Sequence, residues 1–314
     1  MARLVAVVDG GGSKTQAAWA DLAGRVWLAP AVAGSNPQDN PQWRENLGRA
    51  IGYLPPEVEQ VTLGLAGFGE VPGNDTAVVQ LARDHLPHRA VVMNDVAMAY
   101  RGAFPDGGGV LILAGTGSMA MAFGPNGLVR CGGWGDAFGD EGSGWWIGRA
   151  ALSLASKMVD GRLPDSGFAG ALAAALGLPD GGGDFALLNW VMAQDHHRSA
   201  IASVAQLVDL LAGQGDATAT GLLHRAAEEL HQHLTAARRL SGLGEQANWA
   251  CAGSVFNSAT LSTALTALVG KRSVKPQLDA LGGGLWLAAQ AAGWPVDHHW
   301  ITKIAAARSE RTPI

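Results

Sequence analysis

The chain has 314 residues, 48% of them hydrophobic and 16% charged, with 44 glycines and a net charge of -5. That length exceeds one usual compact domain and predicts two lobes with separate cores, while the lack of any basic block excludes nucleic acid and an anionic membrane surface as partners. The two cysteines, Cys131 and Cys251, are too few to cage zinc or an iron–sulfur cluster within one chain.

Met1 to Val8 meets Asp9 at once, too soon for a signal peptide, and no apolar run reaches the length of a membrane span, so a cytoplasmic protein is expected. Leu4 to Val8 reads as a strand, followed by a glycine-rich turn, an alternating strand Thr15 to Asp21, the turn Ala23-Gly24 and a third strand Arg25 to Ala29. Pro41 to Leu54 has helical spacing, Val61 to Leu65 is a buried-strand run, Asp75 to His85 a helix, and Ala90 to Met93 a strand ending at Asn94-Asp95.

The pattern then restarts with a strand Val110 to Leu113, the turn Gly115-Thr116-Gly117-Ser118, a strand Met119 to Phe123 and the turn Pro125-Asn126-Gly127. The predicted lobes are therefore residues 1–108 and 109–314, divided near Pro105 to Gly109. Helices are expected over Trp145 to Val159, Gly167 to Leu176, Phe185 to Gln194, Ser199 to Ala212 and Thr218 to Leu240, and a strand over Asn248 to Ala252.

Five segments carry chemistry. In Asp9-Gly10-Gly11-Gly12-Ser13-Lys14-Thr15 the glycines let backbone amides face a phosphate, Lys14 adds charge, and Asp9 is a candidate Mg²⁺ ligand through water. It is neither a Walker A loop nor a dinucleotide fingerprint, because a strand follows it where both need a helix. Taken alone it also reads as a plain hairpin turn. Thr116, Gly117 and Ser118 lie in the same strand–turn–strand context, so two glycine hairpins can grip one triphosphate.

Asn94-Asp95 ends a strand where α/β sheets place ligands, which makes Asp95 a candidate general base, although an N-cap for the next helix is an equally good use of the pair. The run Gly132-Gly133-Trp134-Gly135 to Asp140-Glu141-Gly142-Ser143 combines carboxylates that accept from vicinal hydroxyls with an aromatic face for a pyranose. Asp140 to Ser143 also suit a helix cap. Gly253-Ser254 and Gly282-Gly283-Gly284 follow as glycine turns with room for adenine and ribose, or as ordinary strand-to-helix turns. The pairs His196-His197 and His298-His299 are read as surface residues.

Taken in order, DGGGSKT, ND, AGTGS, GGWGDAFGDEGSGWWIGR, AGSV and ALGGGL resemble the N-acetylglucosamine kinase and glucosamine kinase family, of the BadF/BadG/BcrA/BcrD ATPase type. The resemblance implies a two-lobed actin-like ATPase fold of the ribonuclease H-like kind, each lobe a mixed sheet with flanking helices and the active site in the cleft between them. It further implies ATP and Mg²⁺ as cofactors and an amino sugar as acceptor. Gly11, Gly12, Ser13, Lys14, Thr116, Gly117 and Ser118 are then expected at the nucleotide phosphates, Gly253 and Ser254 at the nucleoside, Asn36, Asp95, Gly133, Trp134, Gly135 and Asp140 at the sugar, and Asp95 as base. A homodimer is expected. Free glucosamine is the alternative acceptor, and an ATPase that activates a reductase the alternative class.

Overall fold

The computed structural model describes residues 3–178 and 185–309. The chain forms two compact α/β units, Met1–Gly107 with Lys275–Ile314, and Gly108–Val274. No helix among the described residues is long and apolar enough to cross a membrane.

The first unit begins with β1 (Leu4–Gly10), β2 (Lys14–Asp21), β3 (Val26–Leu28) and β4 (Val32–Ala33), then α1 (Trp43–Gly52), β5 (Val58–Leu65), α2 (Pro72–His85), β6 (Ala90–Asn94) and α3 (Asp95–Ala103). The sheet order is β3-β2-β1-β5-β6, with β4 on β2. β1 and β2 are antiparallel, whereas β1, β5 and β6 run parallel. Val5 to Val8 are fully buried, as a central strand covered on both faces requires. Their period of two sends Val5 and Val7 into one core and Ala6 and Val8 into another, where Trp43, Leu47 and Leu81 from α1 and α2 pack.

The second unit contains β7 (Gly109–Ala114), β8 (Ser118–Gly124), β9 (Gly127–Gly132), α4 (Gly144–Val159), α5 (Phe168–Ala175), α6 (Ala186–Met192), α7 (His197–Gly213), α8 (Ala217–Ser241), β10 (Asn248–Ala252) and α9 (Ala259–Val269). Its sheet order is β10-β7-β8-β9, with β10 parallel to β7. Val110, Ile112, Ala120 and Ala122 meet Ile147 of α4, Val204 of α7 and Leu230 of α8 in one core. The Asp216 side chain caps α8 by accepting from Ala219 N at 2.8 Å, and Gly242 ends that helix at φ 75°.

The chain then returns to the first unit through α10 (Ala280–Ala291) and α11 (His298–Ser309). This corrects the expected 109–314 lobe: described residues after 275 pack with the N-terminal segment, because Leu281, Leu285 and Trp286 share a core with Val5, Val7 and Met98. Trp300 donates its indole N–H to the Asp21 carbonyl at 3.1 Å, and Trp294 donates to Glu59 at 3.0 Å. Of the two uses the sequence left open for Gly282 to Gly284, close packing at the start of a helix is the one seen at Gly283 and Gly284. A Cβ on Gly283 would stand 2.5 Å from Gly102 N and Met98 O, and one on Gly284 would overlap Val7. α10 can therefore approach α3 and β1 closely only without side chains at these positions.

Candidate functional site

In the first unit, the parallel register brings two separated sequence motifs to one edge. Gly10 pairs with Leu65 and Leu65 with Asn94, so the carboxyl ends of β1, β5 and β6 lie in one row and Asp95 follows directly. Two strand spacings put Gly10 and Asn94 roughly 10 Å apart. The Asn94 side chain caps α3 by accepting from Val96 N at 3.0 Å. Capping thus falls to Asn94, and Asp95, half-buried, occupies the first helical position with its own Oδ1 2.9 Å from Val96 N.

The turn after β1 is tight, with Gly11 N donating to Lys14 O at 2.9 Å, and Gly12, Ser13 and Lys14 are exposed. The loop carrying Asn36 is fastened to this turn: Ser35 N donates to Gly11 O at 3.0 Å, and the buried Thr15 hydroxyl donates to Ser35 Oγ at 2.8 Å. Asn40 and Asn46 both donate to Gly34 O, at 2.7 and 2.9 Å. Asn36 itself is buried, accepting from Gln38 N and donating to Asp39 at 2.7 Å. Gly11 to Lys14, Asn36, Asp9 and Asp95 thus gather at one end of one sheet.

In the second unit, β7 and β10 bring Gly115–Ser118 and Gly253-Ser254 together, since Leu113 pairs with Ala252 and a Cβ on Gly253 would overlap Ala114 O. Thr116, Gly253 and Ser254 are exposed. The 115–118 turn is fastened to the start of α4: Gly144 N donates to Gly115 O at 2.8 Å, Trp145 N to Thr116 O at 3.2 Å, and Ser118 Oγ to Glu141 O at 2.6 Å. The Ser143 side chain caps α4, accepting from Trp146 N at 3.1 Å.

The loop between β9 and α4 presents Trp134 at 69% exposure and Phe138 at 77%, while Arg130 donates to the carbonyls of Gly132 and Gly133 beneath them. Gly133 and Gly135 take φ values of 72° and 82°. Asp140 differs from the expectation of a sugar-facing carboxylate. It is 3% exposed at φ 59°, and both oxygens are engaged, one accepting from Ser118 N at 3.3 Å and the other from Arg198 at 2.7 Å. Gly117 is required here, because a Cβ would come within 2.7 Å of the Asp140 carboxylate.

Two contributors lay outside every motif. Arg198, near the start of α7, also stands 3.8 Å from Asp136. His233 of α8 lies with Nε2 3.5 Å from Glu141 Oε2, and burial holds its imidazole below the ordinary value against the opposing pull of Glu141. Both sit in unremarkable helical sequence, so only their partners identify them. His196, His197, His298 and His299 are exposed.

Among curated proteins, the N-acetylmuramic acid/N-acetylglucosamine kinase of Clostridium acetobutylicum is 28% identical over 236 residues, covering 71% of this chain and 75% of that protein. A crystal structure of a candidate N-acetylglucosamine kinase from Chromobacterium violaceum matches with a TM-score of 0.69 at 26% identity, over 91% of this chain and 99% of that one. A ROK family glucokinase from Streptomyces griseus, crystallised with glucose and AMPPNP, shares the fold with a TM-score of 0.53 at 20% identity, over 92% and 99% of the two chains. A family model spans residues 8–285, taking in every glycine turn described above, and the chain belongs to the BadF/BadG/BcrA/BcrD ATPase family.

Proposed function

We propose that the protein is an ATP-dependent sugar kinase that converts N-acetylglucosamine to N-acetylglucosamine 6-phosphate with Asp95 as general base. The observation that carries this reading is the row Gly10, Leu65, Asn94, which sets a phosphate-type turn and a carboxylate at the same carboxyl edge of the parallel strands of one mixed sheet. Phosphoryl transfer asks mainly for positioning and charge neutralisation, and a carboxylate that accepts the acceptor's proton completes it.

The turns at 11–14 and 115–118 are assigned to the nucleotide phosphates and Gly253-Ser254 to the nucleoside. Asn36, Gly133, Gly135 and the exposed ring of Trp134 are assigned to the sugar. Asp140 supports this set from beneath. Asp95 takes the proton of the sugar 6-hydroxyl as the hydroxyl oxygen bonds to the γ-phosphorus, and the bond from that phosphorus to the β,γ-bridging oxygen breaks to release ADP. An all-oxygen donor set of one carboxylate with phosphate oxygens suits Mg²⁺, and Asp9, half-buried at the end of β1, would hold the ion, which supplies charge neutralisation at the phosphates.

An acetamide fits the sugar loop better than the ammonium of free glucosamine, because Asp136 and Asp140 already flank the Arg198 guanidinium. The reductase-activator reading lacks comparable support. Cys131 and Cys251 lie on β9 and β10, the opposite edges of the second sheet, and burial pushes both thiols up. The reading places the enzyme in the cytoplasm, where ATP is available, as a homodimer.

ATP consumption measured with N-acetylglucosamine, N-acetylmuramic acid, glucosamine, glucose and no sugar tests the proposal. Turnover that requires N-acetylglucosamine is expected. Hydrolysis of ATP at the same rate without any sugar would overturn it, and light scattering checks the dimer.

A further inference from the structure

We infer that Arg198 is a positioning residue for nucleotide binding, acting through Asp140 on the 115–118 turn; the inference rests on the assignment of that turn to phosphates. Asp140 is buried, strained into the left-handed region and in contact with the Ser118 amide. Nothing about an anion-binding turn calls for a carboxylate directly behind it. An uncompensated negative charge there repels the phosphates that the turn amides attract.

The same carboxylate nevertheless organises the turn, because its Oδ1 accepts from Ser118 N while the Asp140 carbonyl accepts from Ser143 N at 3.0 Å, tying β8 to the cap of α4. Arg198 resolves the conflict. Its Nη2 donates to Asp140 Oδ2 at 2.7 Å, leaving the hydrogen bond that shapes the turn intact while cancelling the charge. The Arg198 Nε is buried without a hydrogen-bond partner, and the second carboxylate near it is Asp136 at 3.8 Å. One guanidinium therefore stands between the buried acid under the phosphate turn and the acid of the Trp134 loop. The arrangement links α7 to both ligand-facing segments of the second unit.

Charge, rather than packing, defines this role. Arg198→Gln keeps a donor for Asp140 but removes the cation, so affinity for Mg·ADP is expected to fall on the order of 10- to 100-fold, while N-acetylglucosamine affinity changes by about threefold or less. Arg198→Lys should retain most of the nucleotide affinity. Removing both charges, in Arg198→Gln with Asp140→Asn, should recover nucleotide binding to within about tenfold of wild type, since the repulsion disappears with its cause.

Calorimetric titration of full-length protein with Mg·ADP, and separately with N-acetylglucosamine, reads all three variants, and thermal melting confirms their folding. Unchanged Mg·ADP affinity in R198Q, or a loss that the double variant does not recover, overturns the role of Arg198. If R198Q alone does not fold, the double variant and R198K carry the test, and failure of both to bind Mg·ADP overturns it equally. A wild-type protein that binds no Mg·ADP overturns instead the phosphate assignment on which the inference rests.

Discussion

His233 and Glu141 face each other at 3.5 Å between α8 and the loop that precedes α4, so an ionisable helix residue senses the charge of the candidate sugar loop. Burial lowers the His233 pKa from 6.5, with Glu141 and Asp140 opposing. The unfolded chain takes up this proton at the ordinary value while the folded protein resists, so this contribution to stability is complete above about pH 6.5 and is lost as the pH falls below it. Glu229, one turn away on α8, has its pKa raised by burial and by Glu141, and its effect has the opposite sign, declining as pH rises above the ordinary glutamate value. Melting temperatures at pH 5.5 and 7.5 should therefore differ less in His233→Gln than in wild type. An equal or larger difference in the variant would count against the assignment.

Asp95→Asn should lower kcat by about 10²- to 10⁴-fold, the usual contribution of a positioned base. N-acetylglucosamine binding should persist, because Asn94 keeps the cap of α3. Titration calorimetry beside a coupled assay distinguishes the two effects, and near-normal turnover would remove Asp95 from the reaction.

Trp134 is exposed on a loop whose glycines leave its ring open. Trp134→Ala should raise the KM for the sugar about tenfold, the equivalent of one lost aromatic face at about 1.4 kcal/mol, and leave the KM for ATP unchanged. Stability should hold, since little of the ring is buried. A change confined to ATP would assign this ring elsewhere.

Gly283→Ala should destabilise the protein by about 1–3 kcal/mol despite alanine's better helix propensity, because its Cβ would meet backbone atoms of α3, which cannot rotate away. Gly221→Ala in α8 is the control. Beyond its chain neighbours and its own helix backbone, nothing lies within 4 Å of its would-be Cβ, and the change should stabilise by up to about 1 kcal/mol. Urea unfolding of both variants compares them directly.

The strands were legible in the sequence because Leu4 to Val8, Val61 to Leu65 and Val110 to Leu113 are dense in branched residues between glycine or polar breaks. Their pairing was not, since register is set by contacts between distant segments. β9 escaped notice because Leu128 and Arg130 are both exposed on an edge strand with glycine at each end. The Gly282–Gly284 run stayed open for a related reason: glycine marks close approach, but the sequence does not say whether a ligand or another helix approaches. Asp140 was read as a sugar-facing carboxylate or part of a helix cap, yet it is buried and its partner Arg198 lies 58 residues away.

The return of the last forty or so residues to the first unit has a consequence for how the protein is made. Val5 and Val7 leave the ribosome about 280 residues before Leu285 and Trp286, which close the core around them. The intervening unit, Gly108–Val274, is continuous in sequence and can fold while translation proceeds. The opening hairpin must wait with one apolar face uncovered. Interrupted synthesis or cleavage before α10 therefore yields a fragment with one finished half and one adhesive half, and such fragments should accumulate in the insoluble fraction.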